Sequence, residues 1–190
     1  TIGAQTDDKH RINPEVLKCA LLDMIEEAGV SLRLYTTARK AVVSDNIVRG
    51  AVIEGKEGRS AVLAKVTVDA SGDGDIAASA GAIYVKGREK DGAMQPMTLM
   101  FKVGGVDEAR VPMFPGSFET TAQFPKGEIQ ALGRAHLTPP AGHVLLYRST
   151  IPGVVTLNMT NCTNVDGTDS ADLTRATIVC RRQMMEIVQF

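Results

Sequence analysis

The segment that most constrains the fold of this chain is a turn with two glycines at residues 69–77, Asp-Ala-Ser-Gly-Asp-Gly-Asp-Ile-Ala. The stretch before it, residues 61–70, is rich in valine and alanine and predicts a strand. Residues 76–80 follow it and predict a short helix. Gly72 and Gly74 permit positive φ, so the chain can reverse sharply between the two elements. The sequence therefore predicts a strand–turn–helix unit here.

Taken as a pattern, residues 72–77 match G-x-G-x-x-G/A, the fingerprint of dinucleotide-binding turns. One hypothesis is therefore an NAD(P)-binding module that uses the turn as a phosphate loop. Two observations weigh against it. Asp73 and Asp75 place carboxylates where a pyrophosphate would bind, and no strand with a terminal acidic residue follows ~20 positions later to hold a ribose. The alternative is a structural turn in which one of these aspartates caps the short helix.

The remaining pattern predicts an α+β chain. Asn13 and Pro14 begin a helix whose apolar residues recur every three or four positions as far as Gly29. A second long helix begins near Asp169, and residues 106–142 are irregular apart from a short helix at 127–135. The predicted strands are residues 30–35, 40–44, 48–54, 61–70, 96–103, 143–150 and 154–160.

The charge balance excludes broad binding to nucleic acids. The 190 residues carry 21 Lys and Arg against 22 Asp and Glu, a formal net charge of -1, whereas a nucleic-acid surface needs a basic surplus. No apolar run approaches the ~20 residues of a membrane span, so none is expected. Cys19, Cys162 and Cys180 lie far apart in the sequence, which is typical of reduced cytosolic thiols. We therefore expect a cytoplasmic location.

Residues 65–75 resemble the strand and "ATGDGD" signature of FAD-dependent oxidoreductases of the glutathione-reductase-like type. Ser71 stands where threonine is usual, which keeps the hydroxyl group. Other stretches resemble the same family in the same order along the chain, and the resemblance covers nearly everything except roughly residues 110–140. These stretches are residues 14–29, 35–54, 95–101, 104–107, 157–160, 166–169 and 181–183.

The resemblance implies that two stretches of the chain lie beside a bound FAD. They are Ala70, Ser71, Gly72 and Asp73 in the turn, and Ala38 and Arg39 in the second strand of the meander, where the family prefers valine. It also implies two domains. Residues 1–93 would be the middle part of an FAD/NAD(P)-binding-type domain, with a helix, an antiparallel meander and the strand–turn–helix. Residues 94–190 would be an incomplete, mostly antiparallel substrate domain with a C-terminal helix.

Three polar residues are candidates for catalysis on the substrate side: Gln95, His143 and Arg148. Gln95 precedes the strand that enters the second domain, and the family resemblance implies that this segment faces the flavin region. Histidine can move protons near neutral pH, and arginine can clamp a carboxylate. No Ser/His/Asp or Cys/His set follows a known template. The histidines lack zinc-like spacing, so no metal site is expected.

The function implied by the resemblance is transfer of hydride or electrons, mediated by FAD, on an unknown small-molecule substrate of a bacterial cell. No GxGxxG precedes Asn13, and the chain stops at Phe190 while still helical in pattern. We therefore expect an internal part of such an enzyme, inactive alone and unable to retain FAD. The alternatives are the NAD(P)-binding module and a non-catalytic interaction domain. Exposed apolar surface would favour a homo-oligomer.

Overall fold

The computed structural model describes residues 12–111 and 114–190. These residues form helices and antiparallel sheets, which confirms the predicted α+β class. The helices are α1 Pro14–Glu27, α2 Asp75–Ser79, α3 Ile129–His136 and α4 Ser170–Gln189. The strands are β1 Thr37–Ser44, β2 Ile47–Gly55, β3 Gly58–Leu63, β4 Phe101–Val103, β5 Gln123–Phe124, β6 Gly127–Glu128, β7 Leu146–Arg148 and β8 Val155–Leu157.

The chain divides into two compact units. The meander unit, Met24–Lys86, contains β1, β2, β3 and α2. The C-terminal unit consists of Gly87–Phe190 together with the chain up to Asp23, and it contains β4 to β8, α3 and α4. The domain boundary predicted between residues 93 and 94 stays a prediction.

Helix α1 begins as its sequence predicts. The Asn13 side-chain Oδ1 accepts hydrogen bonds from the N–H groups of Glu15 at 3.0 Å and Val16 at 3.4 Å, which is the cap that a helix N-terminus needs. Gly29 follows the helix with φ of 65°, as a left-handed C-terminal cap requires. None of the α1 residues is buried. Its apolar stripe therefore takes no part in the described core.

The meander unit is built on an antiparallel sheet in the order β1-β2-β3. Ser44 pairs with Ile47 across the predicted turn, where Asp45 and Asn46 have φ of 53° and 59°. Two successive positive φ values match the twist of a tight hairpin, and Asp and Asn tolerate them better than most residues. The predicted meander is confirmed.

Two predicted strands of this unit differ from the structure: residues 30–35 form no strand, and the strand predicted at 61–70 ends at Leu63. Strand β3 ends at Leu63, and its last ladder bond runs from the Ala64 N–H to the Arg49 carbonyl at 2.9 Å. Beyond it the chain leaves β2, so residues 64–70 pair with no strand of the described chain. Residues 30–35 likewise form no strand, and Tyr35 at their end has φ of 53°. Apolar alternation predicts extended backbone, but a strand also needs a neighbour to accept its hydrogen bonds.

The C-terminal unit contains a second antiparallel sheet, in the order β4-β8-β7, with β8 in the centre. The predicted strand 96–103 is shorter than expected: Met97 forms an isolated bridge with Cys162, and only Phe101–Val103 pairs with β8. The predicted strand 143–150 likewise shortens to β7. A core of Leu137, Val144, Val155, Leu157 and Ile187 packs β8 and the chain before β7 against the C-terminal part of α4.

Helix α4 confirms the prediction for the end of the chain. Asp169 caps it, because its Oδ1 accepts from the N–H groups of Ala171 at 2.7 Å and Asp172 at 3.0 Å. Its buried residues are Ala176, Cys180, Gln183 and Ile187. None of the described helices is long and apolar enough to cross a membrane.

Candidate functional site

The turn before α2 is organised by the carboxylate of Asp69. Its Oδ1 accepts from the Ser71 N–H at 3.0 Å, and its Oδ2 accepts from the Ala77 N–H at 2.8 Å. Hydrogen bonds from the Ser71 side chain, then from the backbone of Ala77 and Ser71, hold the pKa of Asp69 below its ordinary value. Gly72 and Gly74 supply the φ values of 95° and 74° that close the turn. The ionised carboxylate therefore fastens the turn to the first turn of α2.

This geometry argues against the phosphate-loop hypothesis. A phosphate loop binds its ligand through uncommitted N–H groups at the start of a helix. Here the Asp69 carboxylate already accepts the N–H of Ala77. Asp75 places a second carboxylate in the first turn of the same helix. Both negative charges oppose a phosphate at this position.

The backbone of the turn at Gly72 faces open space. Gly72 is exposed, and a Cβ built on it would meet nothing within 4 Å. Shortly before the turn, the Thr67 Oγ1 is buried with no hydrogen-bond partner among the described residues. Native structures usually satisfy such an atom with water or a ligand. The implied contact of residues 70–73 with FAD is sterically open at Gly72 and stays a prediction.

The other implied cofactor stretch, Ala38 and Arg39, lies in β1 of the same unit. The register of β1 on β2 shifts after Ala38, so Arg39 forms a bulge. The Arg39 Nε lies 3.5 Å from the Glu54 Oε2. The Ala41 N–H donates to the Ser79 Oγ at 2.8 Å, which fixes α2 against β1. Both stretches thus belong to one packed unit.

A cavity of about 380 Å³ lies in the C-terminal unit. Half of its described lining residues are polar, and none of these described residues is Asp, Glu, Lys or Arg. The other half are apolar and include Phe118, Leu145 and Met159. The polar lining residues are Gln95, Thr98, His143, Asn158, Thr160 and Asn161.

Two buried glutamines bond the backbone at the cavity, one at Val144 and one at Asn161. Gln130 of α3 accepts from the Val144 N–H at 3.0 Å and donates to the Val144 carbonyl at 2.7 Å. Gln183 of α4 does the same to Asn161, with distances of 2.8 Å and 2.9 Å. Gln130 is 3% exposed and Gln183 is 6% exposed. A buried amide is costly unless both its donor and acceptor are paired, and both glutamines meet that condition.

Thr160, 4% exposed, joins the walls to each other. Its Oγ1 accepts from the Leu99 N–H at 2.7 Å and donates to the Leu99 carbonyl at 3.0 Å. The Thr98 hydroxyl donates to the Thr160 carbonyl at 2.7 Å. In the part of the chain that the structure describes, the buried polar residues are Gln130, Thr160 and Gln183. Thr160 lines this cavity, Gln183 bonds the lining residue Asn161, and Gln130 bonds Val144, which stands between the lining residues His143 and Leu145. We therefore take this cavity as the candidate substrate site.

Two lining residues present polar groups without partners in the described structure. The Asn161 Oδ1 is buried and accepts no hydrogen bond from the described residues. The exposed His143 ring packs edge-to-face against Phe118, with centroids 4.7 Å apart and planes at 73°. That contact orients the imidazole without a hydrogen bond to either ring nitrogen. Both nitrogens therefore remain available to a ligand.

The structure brings two of the three catalytic candidates together. Gln95 and His143 line the same cavity. Arg148 lies in a separate depression of about 330 Å³, where its Nε is 3.3 Å from the Glu108 Oε2. Its guanidinium carbon lies 4.6 Å from the centre of the Phe114 ring. The charge of Arg148 is therefore already paired, which disfavours a role in clamping a carboxylate.

Sequence reasoning missed Asn158, Asn161 and the two glutamines. One signal was present: Gln183 interrupts the apolar face that Cys180 and Ile187 form on α4. A polar residue on a buried helix face needs a partner, and such a partner often belongs to a site. No group of three or more His, Cys, Asp or Glu side chains in the described ranges could hold a metal ion.

Comparison with known proteins identifies the family. Residues 2–190 match the family model of the FAD dependent oxidoreductases. No curated protein and no solved structure matches the chain. The family match spans almost the whole sequence, including both the turn at residues 69–77 and the cavity of the C-terminal unit. The chain therefore belongs to the FAD-dependent oxidoreductase family.

Proposed function

We propose that this chain serves a flavin-dependent oxidation or reduction of a small-molecule substrate, with the turn of the meander unit on the cofactor side and the cavity of the C-terminal unit on the substrate side. The observation that carries the proposal is the family match over residues 2–190. The neutral charge balance and the polar cavity support a small-molecule substrate over a nucleic acid.

On the cofactor side, residues 70–73 and the pair Ala38 and Arg39 would hold FAD. The bound flavin would supply the ring that accepts or donates hydride. Asp69 keeps the turn in one conformation through its bonds to Ser71 and Ala77. Gly72 leaves the backbone open to close approach, because no Cβ covers it and no atom lies within 4 Å of that position.

On the substrate side, Gln95 and His143 would act on the ligand in the cavity. The Gln95 amide can donate and accept hydrogen bonds at once and so orient a polar substrate. The His143 imidazole can hold or accept a proton near neutral pH. Leu145 and Met159, both buried, give the cavity part of its apolar lining. We place this chemistry in the cytosol, which the unpaired Cys19, Cys162 and Cys180 support.

The experiment that tests the proposal is purification of the full-length protein that contains this sequence. It should carry the two visible absorption bands of oxidised flavin, and these bands should bleach on anaerobic reduction with dithionite. A colourless protein that takes up no added FAD contradicts the proposal. Anaerobic addition of NADH or NADPH to the same sample shows whether a nicotinamide nucleotide reduces the flavin.

A further inference from the structure

We propose that the cavity of the C-terminal unit binds a neutral polyhydroxylated molecule of monosaccharide size, with Asn161 as a specificity-determining residue. The inference rests on the proposed function for its claim that the bound molecule is the substrate. The claim about ligand chemistry rests on the cavity alone.

The absence of charge in the lining selects against ions. Among the described lining residues there is no Asp, Glu, Lys or Arg. A carboxylate or phosphate that entered would lose hydration and would meet no permanently charged lysine or arginine in the described lining, only the imidazole of His143, so its desolvation would be poorly compensated. The cation of Arg148 faces a different depression and is paired with Glu108. The ligand is therefore uncharged.

The carboxamides in the lining select for hydroxyl groups. Gln95, Asn158 and Asn161 each offer a donor and an acceptor. A hydroxyl group also donates and accepts, so adjacent hydroxyls can satisfy both ends of an amide. The Thr98 hydroxyl shares its single proton between the Thr160 carbonyl at 2.7 Å and the Asn158 Oδ1 at 3.1 Å, and the Asn158 amino group is left for a ligand oxygen. Several such amides around one small volume favour a ligand with several hydroxyls.

Asn161 adds discrimination because its acceptor is unsatisfied. Its Oδ1 is buried and has no partner among the described residues, while Gln183 holds its backbone in place. The terminal torsion of asparagine is soft, and no hydrogen bond is lost when the amide turns toward the cavity that Asn161 lines. An analogue that lacks the matching hydroxyl leaves this acceptor unpaired. The site therefore discriminates against such an analogue far more strongly than an apolar site would.

The apolar half of the cavity suits the carbon skeleton of such a ligand. Phe118 is exposed and packs beside His143, whereas Leu145 and Met159 are buried lining residues. The volume of about 380 Å³ is near the lower end of the ~300–1,000 Å³ of small-molecule pockets. The cavity thus offers one apolar surface for C–H groups and a ring of amides for hydroxyls.

Ligand-observed saturation-transfer NMR on the purified, flavin-containing full-length protein tests this inference. The probes are D-glucose and D-mannitol, with D-gluconate and glucose 6-phosphate as their charged counterparts. We expect a neutral probe to bind at least about tenfold more tightly than its anionic counterpart. Glucose and mannitol distinguish a ring from an open chain as the preferred form. Equal or tighter binding of the anions, or binding of none of the four, overturns the inference.

Asn161→Leu tests the role of Asn161 in specificity. Its matched control is Thr163→Val, which also replaces a polar residue by an apolar one, two positions away. Asn161→Leu should weaken binding of the neutral probe about tenfold while the melting temperature stays the same or rises, because a buried unpaired acceptor is removed. Thr163→Val should change neither. Unchanged affinity in Asn161→Leu overturns the role of Asn161. The probe comparison on the unmodified protein decides the charge argument even if the variant does not fold.

The flavin absorbance of each sample distinguishes failure of the proposed function from failure of the inference about the ligand. A yellow protein that binds no neutral probe refutes this inference and leaves the proposed function standing. A colourless protein that takes up no FAD refutes the proposed function, whether or not a sugar or polyol binds.

Discussion

Gln183 and Asn161 are joined by two reciprocal hydrogen bonds. The Asn161 N–H donates to the Gln183 Oε1 at 2.8 Å, and the Gln183 Nε2 donates to the Asn161 carbonyl at 2.9 Å. The Gln183 side chain thereby pairs with both backbone groups of Asn161, as the backbone of a neighbouring strand would. Gln130 repeats the arrangement on Val144 from α3. The cavity is therefore shaped by two helices that lie behind its lining, through side chains that do not touch the ligand space.

Gln183→Leu should lower the free energy of unfolding by ~2–4 kcal/mol. The change leaves the N–H and carbonyl of Asn161 without partners, and each buried unpaired group costs ~1–3 kcal/mol. The apolar side chain recovers part of that loss by burial. Urea unfolding followed by circular dichroism measures the change.

Gln189→Leu is the matched control for this prediction, because it makes the same exchange at an exposed position of α4. Its free energy of unfolding should change by less than ~0.5 kcal/mol. Equal losses in the two variants would show that the bonds between Gln183 and Asn161 contribute nothing specific.

Gly72→Ala should lower FAD affinity about tenfold, whereas Gly81→Ala should leave it unchanged. The two glycines have φ of 95° and 89°, and a Cβ at either position would meet nothing within 4 Å. Both variants therefore carry similar backbone strain, of order 1 kcal/mol. They differ because Gly72 belongs to the turn proposed to lie beside FAD. Flavin fluorescence during titration of the apoprotein measures the affinity, and equal losses in both variants would place the FAD contact elsewhere.

The turn at Asp69 should loosen at acid pH. The side chain of Ser71, then the backbone N–H groups of Ala77 and Ser71, lower the pKa of Asp69 in the folded chain. A lowered folded pKa means that the carboxylate stabilises the turn above the unfolded pKa of ~3.9 and loses this effect as the pH falls through the lower folded value. The amide NMR signals of Ser71 and Ala77 should therefore shift with a midpoint below pH ~3.9.

Asp69→Asn should abolish this acid transition, and Asp73→Asn, a neighbouring exchange with no described bond to the two amides, should keep it. If the Ser71 and Ala77 signals still titrate in Asp69→Asn, another group controls the turn.

The parts of the fold that depend on local signals could be predicted from the sequence. Asn13 caps α1, the turn at Asp45 and Asn46 joins β1 to β2, and Asp169 caps α4. Each of these signals acts within a few residues. The strand predicted at 30–35 is absent and the one predicted at 61–70 ends at Leu63, because a strand also needs a second strand alongside, which the alternation of apolar residues does not report.

The candidate site shows the same division. His143 was a candidate from its chemistry and Gln95 from its place in the family resemblance, and both line one cavity. Asn161 gains its role from a helix that begins nine residues later in the sequence, and no local pattern announces that contact. Arg148 has the chemistry of a clamp, but the fold pairs it with Glu108. Residue type thus narrows the candidates, and tertiary pairing decides among them.

Gly133→Ala in α3 should destabilise the protein by ~1–3 kcal/mol, although alanine is the better helix former by ~1 kcal/mol. A Cβ at Gly133 would lie 2.6 Å from the Gly142 carbonyl oxygen and 2.8 Å from the Val144 Cγ2. Since the oxygen belongs to backbone, the chain beside His143 would have to move. Ala131→Gly, at an exposed position of the same helix, should cost only the helix preference of ~1 kcal/mol. Urea unfolding of both variants decides the matter, and a gain in stability for Gly133→Ala would mean that α3 does not pack closely on the cavity wall.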